Sequence, residues 1–252
     1  MSNNSIFDRF STAYKAKGAQ LDKAYRRRQE KFIESVVRKN TKVKRKSLLD
    51  VGCGRGLMLS MLKDKYACTG LDINPNEIKS AKKRVKGVNF LIGNMLDFNL
   101  KMEFDIITCF DSIDHGDDLR ANIGKTLTNL YGHLRKGGVL IFNLPLVEDC
   151  WINENIGVTI LSTGNEKFIY ITHKCIRNKK FNMDKIIILA KGKNVEKEFK
   201  TSIISYKNPQ KTREVENIAK RIGFNTSIYC DWSGKIWDKD SKEEPIFVCV
   251  KV

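Results

Sequence analysis

The 252-residue chain predicts an α/β fold: a parallel sheet covered by helices on both faces, with an antiparallel meander inserted before the sheet is completed. Three observations carry this. Five short apolar runs, "SLLDV", "YACTGLDI", "VNFLI", "FDIITCF" and "GGVLIFNLP", follow one another between residues 47 and 145, alternating with stretches of helical character. Strands that are apolar throughout are buried on both sides, which a parallel sheet with crossover helices provides. From about residue 157 the rhythm changes to β-rich segments broken by turn residues, and a helix and two strands then return.

Taken in order, residues 19–39 place Leu21, Tyr25, Phe32, Val36 and Val37 at helical spacing with charges between, the pattern of an amphipathic helix. A basic linker at 40–46 leads into "SLLDV", and "NEIKSAKKRV" and "ANIGKTLTNLYGHL" read as crossover helices. The meander is "GVTILST", "KFIYITHKCI", "MDKIIILAKG" and "EKEFKTSIISY", turned at "TGNEK" and "RNKKFN". "KTREVENIAKRIGF" is a helix ended by Gly223, and "NTSIYCDW" and "PIFVCVKV" are the last strands. The chain thus divides into 1–46, a core at 47–150, an insertion at 151–209 and a closing segment at 210–252.

Composition bounds the function. With 41% hydrophobic and 30% charged residues the chain is globular, and no apolar run approaches the roughly 18–20 residues a membrane helix needs. "MSNNSIFDRF" lacks the charged start and apolar middle of a signal peptide, so the expected location is the cytoplasm. Seven cysteines, an odd number without a C-x-x-C pair and apart from the three histidines, argue against zinc and against a disulfide framework. They read as small buried hydrophobes. The net charge of +17 is concentrated: residues 15–46 carry thirteen Lys or Arg against three acids. Such a patch attracts nucleic acid, an anionic membrane or a phosphorylated metabolite.

The stretch "LLDVGCGRG" carries the chemistry. A strand ending in Asp50, a turn through Gly52, Gly54 and Gly56, and a following helix aim backbone N–H groups at a ligand that any Cβ would block. A dinucleotide loop needs glycine at 57, where this chain has Leu57, and no G-K-[ST] marks a P-loop. A nucleoside without a pyrophosphate remains. Asp72, twenty residues after Gly52 at the end of the second strand, suits both ribose hydroxyls.

In this order "LLDVGCGRG", "GLDINP", "GNMLDF" and "FDIITCFDSIDH" resemble class I S-adenosylmethionine-dependent methyltransferases, over residues 47–145. The resemblance implies a Rossmann-like seven-stranded sheet and S-adenosylmethionine as cofactor. It implies Gly52, Gly54 and Gly56 against the methionine part, and Asp50 fixing the turn or reaching the amino group. Asp72 would hold the ribose, Ile73 pack on the adenine, and Asn94 and the Met95 backbone meet its edge. Cys109 and Phe110 would lie beneath the sulfonium. Many relatives have Asp at position 94; the amide oxygen of Asn94 still accepts from the adenine amine. "CFDSIDH" looks like the equivalent stretch of small-molecule enzymes, including glycine N-methyltransferase and the N,N-dimethyltransferases of nucleotide-linked deoxyamino sugars. "YKAKG", residues 14–18, resembles the segment that folds over the cofactor in the sugar enzymes, which makes Tyr14 and Lys17 cofactor contacts. No [DN]-P-P-[YF] or P-C follows the fourth strand, against methylation of DNA amines or pyrimidine C5.

On the acceptor side, His115 is the first candidate for a base, with a loop histidine bonded to backbone as the alternative. Asp111 and Asp114 flank it and would orient the imidazole or bind a substrate ammonium or hydroxyl; Tyr14 would donate to the cofactor carboxylate or the acceptor. His133 and His173 read as structural, and Trp151 as a cover for the acceptor or a hinge contact. Lys15, Lys17, Arg26, Arg27 and Arg28 stand near the expected mouth, where a diphosphate would be received. In this reading 1–46 is a helical lid, 47–150 binds the cofactor and 151–209 covers the acceptor. The expected function is methyl transfer to nitrogen, or with less preference oxygen, of a small anionic metabolite such as a phosphate-bearing or nucleotide-linked amino sugar. An RNA methyltransferase using the basic N-terminal segment is the alternative; no metal or membrane partner is expected, and a homodimer is allowed for.

Overall fold

A computed structural model of the protein describes residues 24–40, 46–113, 119–144, 155–163, 166–177, 180–191, 194–202, 212–238, 241 and 245–252. They fall into two compact units, a core formed by Arg26–Glu148 with Gln210–Val252 and a second unit that contains the inserted strands.

In the core, helix α1 (24–40) precedes β1 (Ser47–Val51), α2 (Leu57–Leu62), β2 (Ala67–Asp72), α3 (Pro75–Arg84) and β3 (Asn89–Ile92). Then come β4 (Phe104–Cys109), α4 (Leu119–Gly132) and β5 (Leu134–Asn143), and after the insertion α5 (Thr212–Ile222), β10 (Phe224–Tyr229) and β11 (Ile246–Lys251). The sheet order is β10-β11-β5-β4-β1-β2-β3. Strands β1 to β5 pair in parallel, whereas β11 runs antiparallel to both β5 and β10. This is the seven-stranded α/β sheet that the resemblance implies. The chain order reverses between β1 and β4, so the carboxyl ends of these two strands open a crevice, the usual ligand position in an open α/β sheet.

The helices form for local reasons. Asn74 caps α3 by accepting from the Asn76 N–H, Pro75 occupies the first turn, and Lys82, Lys83 and Arg84 fall in the last turn, opposite the negative end of the dipole. Helix α1 buries Phe32, Ile33, Val36 and Val37 in the core, a stripe with the period its sequence predicts. The earlier part of that predicted helix, with Leu21, lies outside the described residues. Strand β5 starts at Leu134, before the predicted Gly137, because a register irregularity between Phe104 and Ile106 of β4 accommodates the extra residues around Gly137 and Gly138. From β11, Lys251 donates to the carbonyls of Tyr131, in the last turn of α4, and Leu134, at the start of β5, at 2.9 and 2.6 Å.

The second unit holds an antiparallel meander, β6 (Asn155–Thr163), β7 (Glu166–Arg177), β8 (Lys180–Lys191) and β9 (Asn194–Ser202), in that spatial order. Its hairpins close at the pairs Thr163↔Glu166, Arg177↔Lys180 and Lys191↔Asn194. Phe168 and Leu189, opposite one another on β7 and β8, are buried, while Val158 and Ile160 on the other face of the sheet are exposed.

Histidine 133 is structural, as the sequence predicts: its Nδ1 donates to the Asn129 carbonyl at 2.9 Å and its Nε2 accepts from the Leu100 N–H at 3.2 Å. His173 lies on β7, opposite Asp184. Cys53, Cys68, Cys109, Cys230 and Cys249 are buried free thiols, and no group of potential metal ligands occurs among the described residues. Among those residues, no helix is long and apolar enough to cross a membrane.

Asp105, 3% exposed, ties the start of β4 to β1 by accepting from the Ser47 N–H and hydroxyl at 2.8 and 2.9 Å, and it pairs with Arg135. Burial raises its pKa, but the Ser47 hydrogen bonds and the Arg135 guanidinium outweigh that and hold it below the ordinary 3.8. We expect Asp105→Ala to cost about 1–3 kcal/mol in urea unfolding at neutral pH. Because the folded-state pKa is depressed, the ionised carboxylate's contribution is complete above the ordinary 3.8 and is lost as pH falls through the lower folded-state value. The gap between variant and wild type should therefore narrow in acid.

Candidate functional site

The crevice at the β1 and β4 ends is organised by the turn after β1. Gly52, Gly54 and Gly56 have φ of 74°, 50° and 72°, the left-handed region where glycine carries no Cβ penalty. Each does something different. A Cβ on Gly52 would lie 2.1 Å from the Ser112 Oγ, so the bare backbone there admits the loop after β4. A Cβ on Gly56 would meet the Phe90 ring at 2.9 Å, so this glycine lets α2 close on β3 rather than facing the crevice. A Cβ on Gly54 would make only an ordinary contact with the Glu77 Oε2 at 3.9 Å, and the Gly54 N–H points to the Asp72 Oδ2 at 2.8 Å.

Two recesses meet at Gly52 and Ser112. The first, about 240 Å³, is lined by Asp72, Ile73, Asn94, Met95, Asn122 and Thr126 among others. The second, about 310 Å³, is lined by Arg26, Gln29, Asp50, Gly54, Phe110 and Asp111 among others. In the Asp72 lobe, Ile73 is 64% exposed and offers apolar surface for a flat ring. The Asn94 Oδ1 accepts from the Leu96 N–H at 3.0 Å, an Asx turn that holds the loop after β3 and leaves a lone pair for a ligand donor. The carbonyl of Met95 accepts from the Asn129 amide at 3.1 Å.

In the other lobe, Asp50 is 5% exposed and its Oδ1 accepts from the Thr108 hydroxyl at 2.7 Å, across the parallel register Asp50↔Thr108. Burial pushes its carboxyl up to about 7 from the ordinary 3.8, against the Thr108 hydrogen bond and the Arg26 charge; the charge of Asp72 adds to the rise. Asp111, a non-glycine at φ 50°, is held from both sides by Asn143 at the end of β5. The Asp111 N–H donates to the Asn143 Oδ1 at 3.0 Å, and the Asn143 Nδ2 donates to the Asp111 Oδ1 at 2.7 Å. Phe110 is braced edge-on by Trp232 at 5.2 Å, and Trp232 in turn meets Phe32 of α1 at 5.6 Å.

Thus Asp50, Gly52, Gly54, Asp72, Ile73, Asn94, Met95, Phe110 and Asp111 come together around one crevice. Cys109, fully buried at the end of β4, lines neither lobe. Of the three consecutive arginines, Arg26 lines the Asp50 lobe and Arg27 and Arg28 are exposed. Tyr14, Lys15, Lys17, Asp114, His115 and Trp151 lie outside the described residues. The sequence reading missed Gln29, Thr108, Ser112, Thr126 and Asn143. Asn143 had a signal, a lone polar residue at the end of "GGVLIFN"; Gln29 had another, an uncharged polar side chain on the apolar face of α1.

A family described as "Methyltransferase domain" matches residues 24–185. The chain belongs to the methyltransferase-domain family. Among curated relatives, it is 30% identical over 142 residues to the dTDP-4-amino-2,3,4,6-tetradeoxy-D-glucose N,N-dimethyltransferase of Saccharopolyspora spinosa, covering 54% of this chain and 55% of that one. It is 31% identical over 134 residues to the dTDP-3-amino-3,6-dideoxy-alpha-D-glucopyranose N,N-dimethyltransferase of Streptomyces fradiae, covering 52% and 50%. The chain spans about half the length of these relatives. Among solved structures, the methyltransferase fold matches a SAM-bound amino pentose methyltransferase from Micromonospora echinaspora, with a TM-score of 0.74, 18% identity and 100% of both chains covered. DesVI of Streptomyces venezuelae gives a TM-score of 0.71 at 20% identity, with 96% of this chain and 98% of that one covered.

The methyltransferase crevice has the features S-adenosylmethionine requires. Each lobe contains a buried polar atom without a hydrogen-bond partner, the Thr126 Oγ1 in one and the Gln29 Oε1 in the other. Such atoms are costly unless a ligand or water satisfies them. The waist at Gly52 has no side chain, and the acidic groups Asp50, Asp72 and Asp111 suit a cation.

The elevated Asp50 yields a test. Because its folded-state pKa is raised, its contribution to stability is fully present below the ordinary 3.8 and is lost as pH rises through about 7. Asp50→Asn keeps an acceptor for Thr108 and removes the cost of a buried charge. The unliganded variant should therefore be more stable than wild type at about pH 8, by up to ~4 kcal/mol, with the advantage fading towards pH 4 in urea titrations.

Proposed function

We propose that this methyltransferase transfers a methyl group from S-adenosylmethionine to the nitrogen of an amino sugar carried on a nucleoside diphosphate. The observation that most supports the donor is the pair of lobes joined at the Gly52 waist, one with Asp72 and exposed Ile73, the other with buried Asp50. The acceptor class is supported by the relatives named as dTDP-amino-sugar N,N-dimethyltransferases.

When bound, the donor supplies an electrophilic methyl group on a sulfonium. Asp72 would accept from the ribose hydroxyls and Ile73 would pack on the adenine, whose edge would meet Asn94 and the Met95 backbone. Asp50 would take the amino-acid end, and Phe110 would wall the sulfonium on the side braced by Trp232. An amine needs little acid–base help beyond loss of one proton. Alignment of the acceptor nitrogen at roughly 3–3.5 Å, in line, accounts for ~7–11 kcal/mol of barrier lowering. Asp111, clasped by Asn143, would receive the acceptor's ammonium or hydroxyl, with His115 and Tyr14 as candidates for moving the proton. Arg26, Arg27, Arg28, Lys15 and Lys17 would meet the diphosphate. The RNA alternative is not favoured, since these relatives carry the names of nucleotide-sugar enzymes.

Incubation with a panel of nucleotide-linked amino and hydroxy sugars, read by mass spectrometry, tests the acceptor. N-methylated product from an amino sugar is expected; methylation of transcripts with none of the sugars altered would overturn the proposal. Asp72→Ala should weaken S-adenosylhomocysteine binding by about 10- to 100-fold in calorimetry, the loss of charge-assisted hydrogen bonds to the ribose.

A further inference from the structure

Helix α1 presents Phe32, Ile33 and Val36 to the core, and Gln29 lies three and four residues before the first two, on the same buried face. Gln29 is only 2% exposed, yet its Oε1 is buried without a hydrogen-bond partner and the residue lines the Asp50 lobe. A lone carboxamide on an apolar helix face, with its acceptor oxygen unsatisfied, is a standing cost to the fold. A cost of this kind is explained when a ligand supplies the missing donor. The same lobe holds the buried carboxyl of Asp50, a second acceptor whose Oδ1 is bonded to Thr108. Two acceptors lining one lobe, beside Arg26, suit a compact group with several N–H donors, and an ammonium has three.

We infer that Gln29 is a binding residue for the α-ammonium of the methyl donor's amino-acid end, sharing it with Asp50. This rests on the reading of the crevice as an S-adenosylmethionine site and adds a residue that recognises the tail rather than the nucleoside. The carboxylate of the same tail is an acceptor and does not answer the need of Gln29 Oε1. The inference therefore separates the two charges of the zwitterion: the ammonium lies towards Gln29 and Asp50, and the carboxylate does not.

Calorimetry on the full chain tests it with three probes: S-adenosylhomocysteine, its desamino analogue, which keeps the carboxylate, and 5′-methylthioadenosine, which lacks the tail. Wild type should bind the desamino analogue about 10- to 100-fold more weakly than S-adenosylhomocysteine. Gln29→Met should weaken S-adenosylhomocysteine by about the same factor and leave the desamino analogue and methylthioadenosine unchanged, a non-additive cycle. Gln29→Glu keeps an acceptor oxygen, ionised or not, and should retain the preference for the amine. In thermal melts without ligand, Gln29→Met should melt about 2–4 °C above wild type, since an unsatisfied polar atom has been removed. Equal weakening of all three probes by Gln29→Met, together with a lower melting temperature, would overturn the inference in favour of a packing role. So would Gln29→Glu losing as much as Gln29→Met, or wild type binding the desamino analogue undiminished, a result that needs no variant to fold. If wild type bound none of the three probes, the donor reading itself would fail.

Discussion

The contact on which the site depends is the one between the glycine turn and the end of β2. The Asp72 carboxylate accepts the Gly54 N–H at 2.8 Å, and the Leu71 carbonyl accepts from both Gly52 and Cys53 at 2.7 and 3.0 Å. These bonds pull the turn down onto the neighbouring strand. That position sets where α2 begins, leaves the Gly52 backbone close enough for Ser112 to seat against it, and so divides the crevice into two lobes. A side chain at Gly52 would displace the loop after β4 together with Phe110 and Asp111. The same Asp72 oxygens are those a ribose would claim, so a ligand there would compete with, or share, a bond that shapes its own site.

Charge is distributed against the grain of the molecule. The chain carries a net +17, yet the carboxyl ends of the parallel strands gather Asp50, Asp72 and Asp111. An acidic hollow in a basic protein favours a cation over an anion. Asp50 is the most buried of these three, and its ionisation is suppressed, which follows from the strand register that sets it beside Thr108 and away from water.

Much of this was legible in the sequence because the signals were local or periodic. The five buried strands announced themselves as apolar runs, α1 by its Phe32–Val37 stripe, the meander by its turns, and the loop by glycines at every second position. What escaped was set by contacts between distant segments. The bracing of Phe110 by Trp232, the clasp of Asp111 by Asn143 and the buried carboxamide of Gln29 each join residues that only the sheet order and helix packing bring together. The differing duties of the three glycines were hidden too. Spacing shows that side chains are excluded but not whether the excluding body is a loop, as at Gly52, or a core ring, as at Gly56.

The pairing of β11 with β5 has a further consequence. Ile246 stands opposite Asn143, the last residue of β5 and the one that holds Asp111. The returning strand thus re-anchors the chain beside the end of β5, and the segment between them contains α5 and β10 of the core as well as the meander. Since β6–β9 form a sheet of their own, no pairing of the central strands runs through the meander, and its length sets none of their registers.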